Sequence, residues 1–334
     1  MMAAVSLPVS AEDQHDTWQN LLRTLNRQSV AKHFDAYTDV GWDDPEFGIN
    51  PADSRWQLGT DHPLGGTAWY RSRSRRVRAR MGLHVLASQM KVGLEFENVL
   101  QRGLLEWSSR LPNRSREFRY ACHEIIEEGQ HSLMFQEFIN RTGLDVCGLS
   151  PLMQRLTRGV VLTARMFPEL FFVFVLGGEE PIDYVQRETL HRGVAHPLAE
   201  RIMRIHVTEE ARHLSFAHQY LKRRVPQLSW LRRQELAVEA PFVLTVMAQL
   251  MLRPPSRLVR QYRIPRSVMA RAYSKNPAYR AHHASSLSKV RQLFEGIGLI
   301  TPVSQPIWRA LGIWGEARAS SPPKPASRLH AVTS

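Results

Sequence analysis

Apolar positions along this chain recur at three- and four-residue steps, the period of an α-helix, and no stretch of consequence alternates with the two-residue period of a strand. The pattern predicts a short helix over 17–28, with Trp18, Leu21, Leu22 and Leu25 on one side. A helical region begins near Thr67 and is strongest over 83–111. Further helices follow over 114–141, 151–167, 170–192, 197–224 and 228–252. Shorter ones are expected over 265–274 and 276–298. The fifth of these, over 170–192, is expected to be interrupted near Gly177, Gly178 and Pro181, restarting or kinking there, because proline has no N–H to give to the helix ladder. Residues 29–66 are rich in Gly, Pro, Asp and aromatic side chains, the composition of an extended segment that wraps a core. The reading is all-α: residues 1–15 disordered, 16–300 one helical domain, and 301–334 an extension that ends in a disordered tail.

Two of these helices carry charge on an otherwise apolar face. Glu128 and His131 are three residues apart among Ile125, Ile126, Leu133, Met134 and Phe135. His206, Glu210 and His213 form a second polar stripe among Ile205, Val207, Leu214 and Phe216. Three and four residues return a side chain to the same face. Ionisable groups on a buried face are costly unless paired or metal-bound. A carboxylate and an imidazole repeated on two helices is how helix bundles hold a pair of metal ions. Such a site requires one more carboxylate on each of two other helices. In the helix before Glu128, Glu97 lies on the row Met90, Leu94, Gln101, Leu104, and is preferred to Glu95. In the helix before His206, Glu179 continues the row Phe172, Val175, Leu176, Ile182, and is preferred to Glu180. His123, His191, His196 and His218 have no matching partners and are read as surface or supporting groups. His123 with Glu124 does not begin an HExxH zinc motif, because residue 127 is not histidine.

The net charge is +13, and with only six lysines it is almost all arginine. The run RSRSRRVRAR over 71–80 resembles a polyanion-binding patch, yet no zinc-finger or RNA-binding aromatic motif accompanies it, and a solvated helix face is the preferred reading. Two cysteines, Cys122 and Cys147, make neither a zinc knuckle nor a disulfide framework. No uninterrupted apolar run of membrane-spanning length is evident, and the N-terminal residues lack a signal-peptide pattern. A cytoplasmic protein without membrane or nucleic-acid partners is expected.

The ordered set Glu97, Glu128, His131, Glu179, His206, Glu210, His213, together with GGEEPIDYVQRE near 178–188 and RIMRIHVTEEARHLSFAHQYL over 201–221, resembles the aminobenzoate N-oxygenase family of di-iron proteins, in an actinobacterial branch. The resemblance spans about 15–255. It implies a ferritin-like helix bundle with additional helices, often a homodimer, and seven protein ligands to two iron ions, with His206 as the third histidine. It also implies dioxygen as co-substrate and oxidation of a small organic molecule, first of all N-oxygenation of an aryl amine. Carbon hydroxylation and metal storage by a ferroxidase are the alternatives, and manganese or a mixed Mn/Fe centre is open on donor chemistry alone. No dinucleotide fingerprint or iron–sulfur cysteine pattern is present, so an external reductase is expected.

Overall fold

The computed structural model describes residues 11–315. Thirteen α-helices account for most of them, and no strand occurs among the described residues. Helix α1 spans Ala11–Ala31, starting six residues ahead of the expected position; the rest of the expected N-terminal disorder, and the expected disordered C-terminal tail beyond 315, lie outside the described residues. After the loop come α2 (Ala68–Arg71), α3 (Arg75–Ser108), α4 (Arg116–Thr142), α5 (Pro151–Met166), α6 (Pro168–Arg192), α7 (Pro197–Arg224) and α8 (Trp230–Leu252). Five short helices close the chain: α9 (Ser256–Gln261), α10 (Arg266–Met269), α11 (Pro277–Ser286), α12 (Ser288–Gly296) and α13 (Ser304–Ala310).

Local chemistry sets the boundaries. Ser74, Ser115, Ser150 and Ser229 cap α3, α4, α5 and α8, each accepting a backbone N–H of the first turn, one of the donors that a helix start leaves without a partner. Gly143 and Gly193 end α4 and α6 in the left-handed conformation, which glycine adopts without a Cβ clash.

Two antiparallel pairs form the centre, α3 against α4 and α6 against α7, with α8 laid on α6 and α1 on α4 and α7. The largest apolar cluster runs through Trp18, Leu104, Trp107, Phe172, Phe216 and Tyr220. A second lies beneath the 29–66 segment, whose Trp42 and Trp56 are buried against Phe138 and Ile202; that segment wraps the core as its aromatic content predicts. Trp308 and Ile313, beyond residue 300, are fully buried in the main cluster. Ile126 and Leu133, by contrast, face outward from α4, 60% and 44% exposed.

The expected break in α6 does not occur: one helix runs through Gly177, Gly178 and Pro181. The glycines serve contact instead. A Cβ on Gly177 would press on Met247 and Leu244 of α8, and one on Gly178 would overlap the Phe96 ring. The glycine pair thus lets α8 and α3 close on α6 from two sides. The segment Trp230–Gln261 is long and apolar enough to cross a membrane, with a mean hydropathy of 1.5 over its most apolar window. That window is 56% buried inside the fold, and Leu236, Ala240, Leu244 and Met251 join the main core.

Candidate metal centre

Glu97 on α3, Glu128 and His131 on α4, Glu179 on α6, and His206, Glu210 and His213 on α7 converge at the middle of the bundle, all at 2% exposure or less. Four overlapping triplets drawn from these seven residues each bring their ligand atoms within 4.8 Å of one another: Glu97–His131–His206, Glu128–Glu210–His213, Glu179–His206–Glu210 and Glu97–Glu128–Glu179. Glu95 lies elsewhere; its carboxylate accepts the Leu149 backbone N–H at 2.6 Å and the Gln154 side-chain amide at 3.3 Å. Glu180 turns away as well, accepting a hydrogen bond from His218 at 2.7 Å. His218 therefore has a partner after all, and His196 is the N-cap of α7, stacked on Trp56 at 3.9 Å.

The imidazoles are oriented by a crossed pair of supports. His131 turns Nδ1 toward Glu128, at 3.1 Å, and Nε2 toward Glu209, at 3.0 Å. His213 turns Nδ1 toward Glu128, at 2.8 Å, and Nε2 toward Glu127, at 2.8 Å. The glutamate just ahead of each Glu-x-x-His motif thus holds the histidine of the other helix. Both supports meet on one cation: Arg212, 7% exposed, is 2.9 Å from Glu127 and 3.6 Å from Glu209. Glu209 also accepts the backbone N–H of Phe34 at 3.1 Å, so the wrapping segment is tied to the centre. A carboxylate behind a ligating histidine fixes its tautomer and ring plane, as metal sites require. Glu124, Glu127, Glu209 and Arg212 were not picked out by spacing. The signal was present in the doubled glutamates of EExxH at 127–131 and again at 209–213.

Electrostatics mark the cluster as crowded. Burial, then Glu128 and Glu179, push the Glu97 carboxyl well above the usual range. Burial with Glu210 and Glu128 does the same to Glu179. Burial also raises Glu124, one turn before Glu128, to about 8. Burial alone would depress His131, but Glu128, Glu209 and Glu210 outweigh it and push its pKa to about 10. His213 is raised likewise against its own burial by Glu210 and Glu128. Like charges held this close must take up protons or a cation. Five buried atoms of the seven residues have no hydrogen-bond partner: Glu97 Oε2, Glu128 Oε1, Glu179 Oε1, His206 Nδ1 and Glu210 Oε2; of these Glu128 Oε1 lies 2.8 Å from His213 Nδ1 without hydrogen-bond geometry. Unpaired buried polar atoms cost roughly 1–3 kcal/mol each, and five at one point, on hard and borderline donors, are what a metal ion relieves. The residues fit a pair of first-row divalent ions: four carboxylates match the charge of two such ions, and carboxylate with imidazole is the donor set that such ions take.

A helix bundle with a buried carboxylate–histidine cluster on two Glu-x-x-His motifs is the architecture of the di-iron carboxylate proteins. The chain belongs to the P-aminobenzoate N-oxygenase AurF family, whose profile matches residues 15–298; this is a ferritin-like helical family of di-iron oxygenases. Uncharacterized proteins of Mycobacterium tuberculosis (strains CDC 1551 and H37Rv) and Mycobacterium bovis are 39% identical over 297 residues, 89% of this chain and 87% of each relative. No solved structure matches the chain.

Proposed function

We propose that this protein is a di-iron monooxygenase in which Glu97, Glu128, His131, Glu179, His206, Glu210 and His213 hold two iron ions, and that it oxidises a small organic substrate, in the first place an aryl amine at nitrogen. The observation that carries the reading is the convergence of these seven buried donors, five of them with an atom that has no hydrogen-bond partner, inside a chain of this family. Bound iron would supply the activation of dioxygen. The protein's own part is position and exclusion. Glu209 keeps His131, and Glu127 keeps His213, with Nδ1 turned to the centre. Apolar helices keep bulk water from it, and a dry site strengthens every charge interaction within. Glu97, Glu179 and His206 face a cavity and leave that side open for reactants.

Electrons come from a separate reductase on this reading, and the chain works in the cytoplasm as a single helical domain paired with a second copy. The exposed Leu152, Leu156, Leu162 and Met166 on α5 support the pairing; light scattering that gives a monomer mass at micromolar concentration would reject it.

The test of function is to reduce iron-loaded protein, add labelled dioxygen, and follow a panel of aminoarenes by mass spectrometry. Label on nitrogen is the expected result. Label on carbon replaces the N-oxygenase reading with a hydroxylase. Iron that is oxidised and mineralised while every arene stays intact replaces it with storage.

A further inference from the structure

Between α3, α4, α6, α7 and α8 lies a cavity of about 80 Å³ that opens onto Glu97, Glu179 and His206. Phe96, Phe135, Ile182, Met203 and Met251 make most of its apolar wall. Three uncharged polar side chains join them: Gln89, Gln186 and Thr189. The Thr189 hydroxyl is already donated to the Val185 carbonyl at 2.9 Å. Gln186 Oε1 is buried and has no hydrogen-bond partner. No lysine or arginine lines the cavity. Arg187, the next residue, turns elsewhere, its guanidinium held by Asp183 at 2.7 Å and by the Val207 carbonyl at 3.1 Å.

We infer that this cavity is the substrate pocket and that it selects an uncharged arylamine, whose far end donates a hydrogen bond to Gln186, over a ring that carries a carboxylate. The inference rests on the oxygenase reading above and adds to it the class of substrate. A carboxylate brought here would lose its water and meet no cation. The four glutamates of the centre already match the charge of two divalent ions, so little positive field is left over to attract an anion. Glu97 and Glu179, on the cavity wall, add repulsion. A neutral donor has the opposite fate, because the free oxygen of Gln186 is satisfied only by an N–H or O–H. A pocket with a buried acceptor discriminates strongly between a ligand that satisfies it and one that does not. The cavity is smaller than the roughly 150 Å³ that admits a benzene ring. The thioethers of Met203 and Met251 are the unbranched, adaptable side chains that can make room.

The experiment compares two ligands of nearly one shape, 4-aminobenzamide and 4-aminobenzoate, by calorimetry on the anaerobic ferrous protein, with iron content measured on the same samples. The amide should bind at least about ten-fold tighter, the worth of a satisfied buried hydrogen bond. Gln186→Leu should erase most of that preference, and Gln186→Arg, which brings in a cation, should turn it toward the carboxylate. Equal or tighter binding of 4-aminobenzoate to the unaltered protein overturns the inference. So does binding of neither ligand, or a ranking that Gln186→Leu leaves in place. Protein that loads iron yet ranks the ligands the wrong way sinks this inference alone. Protein that cannot be loaded sinks the oxygenase reading, and the ranking is then read on that same protein by thermal shift.

Discussion

The two sides of the buried cluster are built on opposite rules. On one side both ring nitrogens of His131 and of His213 face carboxylates, Glu128 with Glu209 and Glu128 with Glu127, and Arg212 lies 2.9 Å from Glu127 and 3.6 Å from Glu209. On the other side Glu97 Oε2, Glu179 Oε1 and His206 Nδ1 have none, and these three residues border the cavity. A bundle designed only for stability would satisfy or remove such atoms, since a half-paired polar network is worse than an apolar core. The contrast separates holding from reacting. On the function proposed above, the paired side would fix where ions sit, and the unpaired side would leave donor capacity and space for what arrives.

The largest effect expected of any single change is on metal retention. His213→Ala removes a central donor, and iron-reconstituted protein should fall well below the two irons per chain expected of the unaltered protein, by elemental analysis. The unaltered protein should melt at a higher temperature with metal than without, because a ligand that binds only the folded state stabilises it by mass action. Equal melting temperatures, or full iron in His213→Ala, would break the reading of the paired side as a holder of ions.

Arg212→Ala comes next. It leaves Glu127 and Glu209 buried at 3% and 0% exposure without their common cation. Removing one partner of a buried ion pair costs about 3–5 kcal/mol, so the metal-free variant should unfold at distinctly lower denaturant concentration. Glu127→Gln keeps shape and loses charge. It should lower the denaturant midpoint by less than Arg212→Ala does, because Arg212 keeps Glu209, yet bind metal about 10–100-fold more weakly, the usual cost of losing a carboxylate behind a ligating histidine. A Glu127→Gln protein with parental metal affinity would show that the crossed supports are packing and nothing more.

The sequence was more informative about the donors than about what holds them. Glu128 with His131, and Glu210 with His206 and His213, were legible because three- and four-residue spacing on an apolar helix is a local signal. The doubled glutamates were equally visible, but spacing says nothing about which of two adjacent carboxylates points inward. That is fixed by the crossing of α4 and α7, where Glu127 reaches His213 and Glu209 reaches His131. The aromatic side chains that share these helix faces, Phe135, Phe172 and Phe216, divide for the same reason. Phe135 lines the cavity, whereas Phe172 and Phe216 pack with Trp107 and Tyr220 in the main core. The break expected in α6 failed because Gly177 and Gly178 answer to neighbours on α8 and α3, which a single helix's sequence does not announce.

On the unpaired side the effects should be smaller for folding and specific to reaction. His206→Ala should keep most of the fold, since His206 Nδ1 has no hydrogen-bond partner to lose. Stopped-flow absorption after mixing ferrous protein with dioxygen should nevertheless show an altered rate or spectrum. A variant identical to the parent in that trace would remove His206 from the open side's chemistry.

The smallest expected effect tests whether an orphaned atom by itself marks function. His283 on α11 is 5% exposed, and its Nε2, like His206 Nδ1, has no hydrogen-bond partner. No carboxylate is grouped with it. Its neighbours include Tyr279, stacked at 6.1 Å, and the cationic or titratable Arg253 and His282. Burial first, then His282 and Arg253, lower its pKa from 6.5 to about 4. The folded protein therefore resists a proton that the unfolded chain accepts below pH 6.5. Stability contributed by the neutral ring is complete above that pH and declines as pH falls from 6.5 toward 4. His283→Gln, which cannot titrate, should flatten part of this decline in denaturant midpoints measured on metal-free protein, and should leave iron content and the dioxygen reaction as they were. If His283→Gln instead altered the dioxygen trace as His206→Ala is expected to, the lack of a partner would be a general consequence of burial in this fold, and the distinction between the two sides of the cluster would lose its support.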